Sequence, residues 1–370
     1  MLSGMPAGVA VDLEFVNHEL WRRQQGYGRG GRMRIERDTA HILSGVRHGK
    51  TIGSPIALVL ANKDWQNWTE ALPVEAGDPA KHKRVASPRP GHADLAGMQK
   101  YALAEARDVQ ERASARETAA RVAAGAVCKL LLGDLGVQVV SHVVQLGPAL
   151  AKAGRRPGPG DLEAVDLSPV RCFDPDAEAE MVEAVKAAAR DGDSLGGVAE
   201  VIAYGVPVGL GSHVHWDRKI DGLLAQALMS IHAVKGVEIG EGIEVAGLRG
   251  SVAHDAIGWD PEAKDYPRSS NHAGGVEGGM TNGQPVVARC YMKPLATLNR
   301  PVLKTVDVVT KQESVSFKER TDHTAVPAMG VVAETMMAWV LAGEAVRKFG
   351  GDSMAELVRN RDGYLAGLRA

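Results

Sequence analysis

The chain has 370 residues, of which 45% are hydrophobic, 24% charged and only 4% aromatic, with a formal net charge of −2. That composition belongs to a globular protein with a sizeable core and excludes a disordered chain, while the near-neutral balance and scarce aromatics argue against nucleic acid or an anionic membrane as partner. Cys128, Cys172 and Cys290 are too scattered for a zinc motif or a disulfide framework, so reduced thiols in a cytoplasmic protein are expected.

The chain opens MLSGMPAGVAVD, with a Gly-Met-Pro-Ala-Gly turn at Gly4 to Gly8 after only three residues. Turn chemistry of this kind normally joins two elements. Asp12 reads as the N-cap of a helix from Leu13 to about Gln25, stopped by Gly26. RMRIE and AHILSGV read as strands, and PIALVLA as a buried strand. SARETAARVAAGAVCKLLLG is the clearest helix, with Ala119, Val122, Ala123, Ala126, Val127, Leu130 and Leu131 at helical spacing. GVQVVSHVVQLG predicts an alternating strand, DAEAEMVEAVKAAARDG a surface helix, and VAEVIAYGVPVGLG a strand pair or one bent strand. DGLLAQALMSIHAVKG predicts a helix, PVVARCYMKPLAT a strand, and AVPAMGVVAETMMAWVLAGEAVRKF a long buried helix. Helices and strands do not alternate regularly, which points to an α+β arrangement in one domain rather than a doubly wound sheet.

Charge is concentrated locally. Between Leu20 and Lys50 there are eight Lys or Arg and two acids, and KHKR (81–84) follows, with Arg89 and His92 close behind. A small anionic ligand would explain such density, as would a solvated basic face. In RRQQGYGRGGRMR (22–34), glycines permit close backbone approach and arginines suit carboxylate or phosphate. The stretch is not a P-loop, and it follows a helix, which argues against a dinucleotide fold. SPRPGHADLAG presents His92 on a Pro- and Gly-constrained loop, either for proton chemistry or tied into a loop hydrogen bond. SSNHAGGVEGGMTNGQP could wrap a flat or phosphorylated cofactor or form a plain glycine-rich loop. ERASARET and ERTDHTAV each place Glu-Arg before a long apolar helix. Their helix starts suit an anion, and ordinary capping by Ser114 and Asp322 is the other reading. His213 and His215, two apart in SHVHW, lack a third metal ligand in sequence, and His142, His254 and His272 read as structural.

YGRGGRM, RPGHAD, RASARETAARVAAGA, ALMSIHAVKGVEIG, HAGGVEGGMTNG, MKPLAT and RTDHTAVP together closely resemble the chorismate synthase family, in the family's order and over nearly the whole chain. The resemblance implies a β-α-β sandwich and a homotetramer. It implies a 1,4-anti elimination of phosphate from 5-enolpyruvylshikimate 3-phosphate to give chorismate, dependent on reduced FMN without net redox change. It carries substrate contacts to Arg23, Arg29, Arg32, Arg89, Ala115 and Arg116. Flavin contacts fall on Arg112, Ala113, Ser114, His232, Ala233, Gly278, Lys293, Pro294, Leu295, Ala296, Thr297 and Arg320, although Asn is common in the family at the position of His232. His92 and Asp322 match the residues assigned to proton chemistry at the flavin. No metal, nucleic acid or membrane is implied.

The family opens with a strand and a Gly-Glu-Ser-His-Gly motif whose histidine is assigned to protonating the leaving phosphate. No position among the 370 residues matches it, and neither His18 nor any other histidine inherits the role. Two expectations follow: an enzyme whose native start lies upstream of Met1, with turnover of the 370-residue form severely reduced, or a non-catalytic flavin- and anion-binding relative.

Overall fold

The computed structural model describes residues 1–30, 37–78, 82–316 and 321–369. The RMRIE strand expectation lies outside them, as do Arg32 and Arg320. The first helix, α1 (Leu13–Gln24), starts where Asp12 accepts a hydrogen bond from the Glu14 backbone N–H at 2.9 Å, and Gly26 follows its end at φ +118°. Val16 and Leu20 are its buried ridge.

A five-stranded antiparallel sheet forms the centre. It uses β3 (Gln138–Leu146), β4 (Ala149–Leu150), β5 (Gly197–Tyr204), β6 (Val234–Ile239) and β7 (Val286–Met292), in the order β4-β3-β5-β7-β6. Ala288 pairs with Val201 on one side and Ile239 on the other. The alternation expected of β3 is absent, because residues 139–143 are buried without interruption: one face meets the helices, and the other carries Val140 beside Ile202 and Val287. VAEVIAY lies in one strand, β5, which ends at Tyr204 where Gly205 takes φ +73°.

Two helices dominate the layer on this sheet, α4 (Glu117–Asp134) and α7 (Val326–Phe349). Between them come α5 (Pro175–Asp191) and α6 (Ile220–Met229). α4 and α7 pack closely where Gly125 faces Thr335: a Cβ at Gly125 would lie 2.4 Å from the Thr335 Cβ and 2.6 Å from its carbonyl oxygen. On the far side of α1 and α4 sits a small sheet of β1 (Ala40–Ser44) and β2 (Ala57–Leu60). The helices therefore lie between a large and a small sheet, which is the sandwich layering expected. PIALVLA is not the buried strand anticipated. β2 is half-buried with Val59 exposed: among the described residues it pairs with β1 alone in a two-stranded sheet, and one of its faces is left to solvent. The helix expected through residue 236 stops at Met229. Ala233 then takes φ +64°, and the chain turns directly into β6.

The opening segment is tied down at both ends. Leu2 and Ile56 exchange backbone hydrogen bonds at 2.9 and 2.8 Å, Gly4 and Gly8 take φ +84° and +98°, and Ala7 bonds backbone groups of Asp352 and Met354 at 2.8 and 2.9 Å. Met354 begins α8 (Met354–Leu368), which Ser353 and Glu356 cap reciprocally. Among the described residues, one helix is long and apolar enough to cross a membrane, α7, and 78% of that apolar stretch is buried inside the protein as a core helix.

Candidate active site

Segments distant in sequence meet in a cleft of about 850 Å³. Arg23 enters from the end of α1, with Arg29 and Gly30 from the glycine-rich loop after it. Asn62 to Leu72 contributes Trp65 and Trp68. Arg89 to Ala93, Arg107 to Thr118, Ile231 to Ala233, Met292 to Thr297 and the approach to α7 complete the wall. Arg107 to Arg112 and Asp94 to Tyr101 are two short helices, α3 and α2 in chain order reversed. Arg23, Arg29, Arg89, Arg107, Arg112, Arg116 and Lys293 line the cleft against Asp64, Glu111, Glu117 and Asp322, so cations dominate it inside a near-neutral protein. Trp65, Trp68, Ile231, Met292, Ala328, Met329 and Val332 give it apolar, partly flat walls.

The arginines are held, not loose. Asp38, whose side chain is 2% exposed, bridges two of them: Arg23 Nη2 donates to Oδ2 at 2.7 Å and Arg116 Nη1 to Oδ1 at 2.8 Å. Arg23 also donates to Thr118 Oγ1 at 3.3 Å, and Arg116 to the Ala61 carbonyl at 3.0 Å. Arg23 Nε is buried without a hydrogen-bond acceptor. A buried cationic donor in that state is costly unless an anion arrives. The neighbouring Arg22 turns the opposite way, into the core. It pairs with Glu334 at 2.8 and 3.0 Å, Glu19 at 2.8 Å and Asp166 at 2.7 Å. The i, i+1 offset on a helix rotates the two side chains about 100° apart, so of the two only Arg23 faces the cleft.

His92 lies on the loop before α2. Its Nδ1 is 2.5 Å from Asp94 Oδ1, and Arg89 Nη2 lies 3.2 and 3.3 Å from the two ring nitrogens. Burial opposes charge on Asp94, yet hydrogen bonds from His92 and Arg89 outweigh it and hold the carboxyl far below the usual carboxylate range. Arg89 Nη1 reaches on to Thr297 Oγ1 at 3.0 Å, joining this loop to the 293–297 run. Lys293 Nζ donates to the Gly91 carbonyl at 2.7 Å, and Ser194 Oγ to the Leu295 carbonyl at 2.8 Å. Asp322 accepts from the Gly30 N–H at 2.6 Å and pairs with Arg29 at 3.1 Å. It is therefore engaged by the arginine loop and does not cap α7, whose first N–H is taken by Thr324 Oγ1 at 3.3 Å. Ser114 accepts from the Arg116 N–H at 3.3 Å before α4 begins, leaving α4 without a side-chain cap. His232 faces Glu117 at 3.7 Å, and its Nδ1 is buried without a hydrogen bond. Burial pushes its pKa down, with Arg121, Arg112 and His92 adding to the fall and Glu117 opposing it.

Arg23, Arg29, Arg89, His92, Arg112, Ala113, Ser114, Ala115, Arg116, His232, Ala233, Lys293, Leu295, Ala296, Thr297 and Asp322 all line the cleft, and Pro294 lies within the run that does. Gly278 is not brought there. With Gly279 it forms the turn of a tight hairpin, Val276–Glu277 against Met280–Thr281, both at positive φ, and Gly274 and Gly275, also at positive φ, lead into it, where Asn271 Oδ1 accepts from the Gly275 N–H at 2.7 Å. The glycine-rich loop is thus packed on itself. Sequence reading missed Asp38, Trp65, Trp68, Gln110, Glu117 and Thr118 as cleft or cleft-supporting residues. The pair of tryptophans in DWQNW was a visible signal. Asp38 left none, since its partners stand far away in sequence. The histidines set aside stay apart from the cleft: His142 pairs with Glu200 at 3.2 Å and His272 with Glu241 at 2.6 Å. No group of three His, Cys, Asp or Glu that could hold a metal occurs among the described residues.

A cleft of this size, with flat apolar walls and a cationic rim, fits a planar phosphorylated cofactor beside a polyanionic substrate, and the orphaned Arg23 Nε is an independent mark of an anion site. The family model described as chorismate synthase matches residues 1–346. The chorismate synthase of Koribacter versatilis is 56% identical over all of this chain and 95% of its own length, and that of Acidobacterium capsulatum is 55% identical over the same shares. A crystal structure of a chorismate synthase superposes with a TM-score of 0.78 at 42% identity, covering 99% of this chain and 93% of that one.

Proposed function

Because the chain belongs to the chorismate synthase family, we propose that its cleft binds 5-enolpyruvylshikimate 3-phosphate against reduced FMN. The enzyme is a lyase of the shikimate pathway, on the route to the aromatic amino acids, and it releases phosphate by 1,4-elimination to give chorismate. The observation that carries the residue-level reading is the cluster of Arg23, Arg29, Arg89 and Arg116 around an apolar cleft, braced by buried Asp38 and Asp94 and by partly exposed Asp322.

Reduced FMN, when bound, supplies an electron-rich face that stabilises positive charge as the allylic phosphate departs and a site that accepts the hydrogen lost from the ring. Arg23 and Arg116, fixed by Asp38, and Arg29, fixed by Asp322, meet the phosphate and carboxylates of the substrate. Their charge counters the negative charge gathering on the leaving group, in a cleft whose apolar wall strengthens the interaction. His92 would hold or give a proton at its ring for the flavin, and Asp322, aimed by Gly30 and Arg29, would relay the one proton that the substrate ring loses as phosphate leaves. Arg112, Ala113, Ser114, His232, Ala233 and the run Lys293 to Thr297 hold the flavin. Arg32 and Arg320 belong to the same assignments. The reading includes a homotetramer in the cytoplasm.

The test is an anaerobic assay of phosphate and chorismate release with reduced FMN, for the wild type and for Arg116→Ala. Equimolar release is expected, with kcat/KM lowered at least about tenfold by the substitution, the weight of a charge-assisted hydrogen bond. Equal rates with and without reduced FMN, or an unaffected Arg116→Ala, overturn the reading.

A further inference from the structure

We propose that Asp94 is the positioning residue for His92, fixing the orientation of the ring and which of its nitrogens carries the proton. The proposal rests on the assignment of His92 to proton chemistry in the cleft.

Asp94 is fully buried beside the cleft at the start of the Asp94–Tyr101 helix, and its two oxygens face different groups. Oδ2 accepts from the Arg89 backbone N–H and from Arg89 Nε, each at 3.0 Å, and from Gln110 Nε2 at 3.2 Å. Oδ1 accepts from Arg89 Nη2 at 3.2 Å and faces His92 Nδ1 at 2.5 Å. Three donors on Oδ2 lock the carboxylate plane, so Oδ1 cannot swing away from the imidazole. A carboxylate can only accept, so at neutral ring charge Nδ1 must be the protonated nitrogen and Nε2 the one with the lone pair. Arg89 Nη2 lies 3.3 Å from Nε2, and an N–H donor on that side suits the same tautomer, with the lone pair on Nε2. The other charged or titratable groups bearing on His92 are Lys293, whose Nζ sits on the Gly91 carbonyl, and His232, Arg112 and Glu111, which line the same cleft. Among the described residues, none of these four hydrogen-bonds the ring.

Asp94→Asn keeps the shape and reverses this logic. The three donors on the Oδ2 side claim the amide oxygen, which turns the amide NH2 toward Nδ1 and forces the proton to Nε2. Nitrogen-15 NMR of the histidine rings, with His92 identified by its loss in His92→Gln, reads both states. The wild type is expected in the Nδ1–H form, a measurement that needs no variant at position 94; an Nε2–H wild type overturns the proposal. Asp94→Asn is expected to switch to Nε2–H. An unchanged tautomer in Asp94→Asn overturns it. Kinetically, Asp94→Asn should lower kcat, and should cost little more when added to His92→Ala. A fully multiplicative loss in the double variant shows that Asp94 acts elsewhere. Full activity in His92→Ala removes the assignment of His92 and the catalytic part of the proposal with it; an inactive His92→Ala with an unchanged ring in Asp94→Asn removes Asp94 alone.

Discussion

Glu334→Gln tests the most heavily charged part of the core. Glu334 lies in the middle of α7 with no solvent exposure. It accepts from Arg22 at 2.8 and 3.0 Å, Lys129 at 2.9 Å, Arg171 at 3.0 Å and Ser141 Oγ at 2.7 Å. Glu19 and Asp166 complete the cluster, so three cations meet three carboxylates. Burial works against a charged Glu334, but Arg22, Lys129 and Arg171 prevail and hold its pKa far below the ordinary value of 4.5. Glutamine leaves three cations facing two carboxylates and points an amide NH2 at them. Removing one partner of a buried ion pair costs about 3–5 kcal/mol. Spread over an unfolding entropy of about 2.1 cal/mol/K per residue, that lowers the Tm by about 4–6 °C. The pH dependence follows from the sign of the shift. A carboxylate with a depressed folded pKa stabilises above its unfolded value, and the contribution is lost as pH falls through the folded value. The gap between wild type and Glu334→Gln should therefore be flat from pH 7 down to about 5.5 and close progressively below the ordinary Glu value. Calorimetry or denaturant unfolding across this range measures it. Equal stabilities at pH 7, or a gap that widens toward pH 4, would refute the argument.

Asp38→Asn should release Arg23 and Arg116 from their shared brace and lower kcat/KM about 10- to 100-fold through KM, with the circular dichroism spectrum unchanged; kinetics within twofold of wild type would contradict it. Gly125→Ala forces a methyl into Thr335 where the two core helices touch, and a loss of about 1–3 kcal/mol is expected in unfolding experiments, with an unaltered melting curve as the opposing result. Burial pushes the thiols of Cys128 and Cys290 up to about 12 and that of Cys172 to about 11. At pH 8 the native protein should resist a disulfide-exchange reagent, and all three thiols should react after denaturation; rapid labelling of the folded protein would show that these sites open.

The sequence by itself determined the elements whose signals are local. Asp12 and Gly26 bound α1, and the spacing of small and aliphatic residues made α4 legible, because capping and periodicity act within a few residues. The motifs that carry the family resemblance also selected most of the cleft, from Arg23 to Asp322. What the tertiary structure decided depends on contacts between distant residues. It separated Arg22 from Arg23, sending one into an ionic core and the other into the cleft. It brought Asp38 to Arg116 across 78 positions of chain, which no periodicity encodes. It left PIALVLA half-exposed on a two-stranded sheet, since its composition suits a buried strand and only its neighbours determine how much of it is covered. It closed the glycine-rich loop at 274–279 on itself, away from the cleft, because positive φ serves a tight hairpin as readily as it serves a ligand. It also turned Asp322 from a plausible helix cap into a partner of Gly30 and Arg29. A carboxylate before a helix is ambiguous in sequence, and the donor that reaches it in three dimensions decides its part.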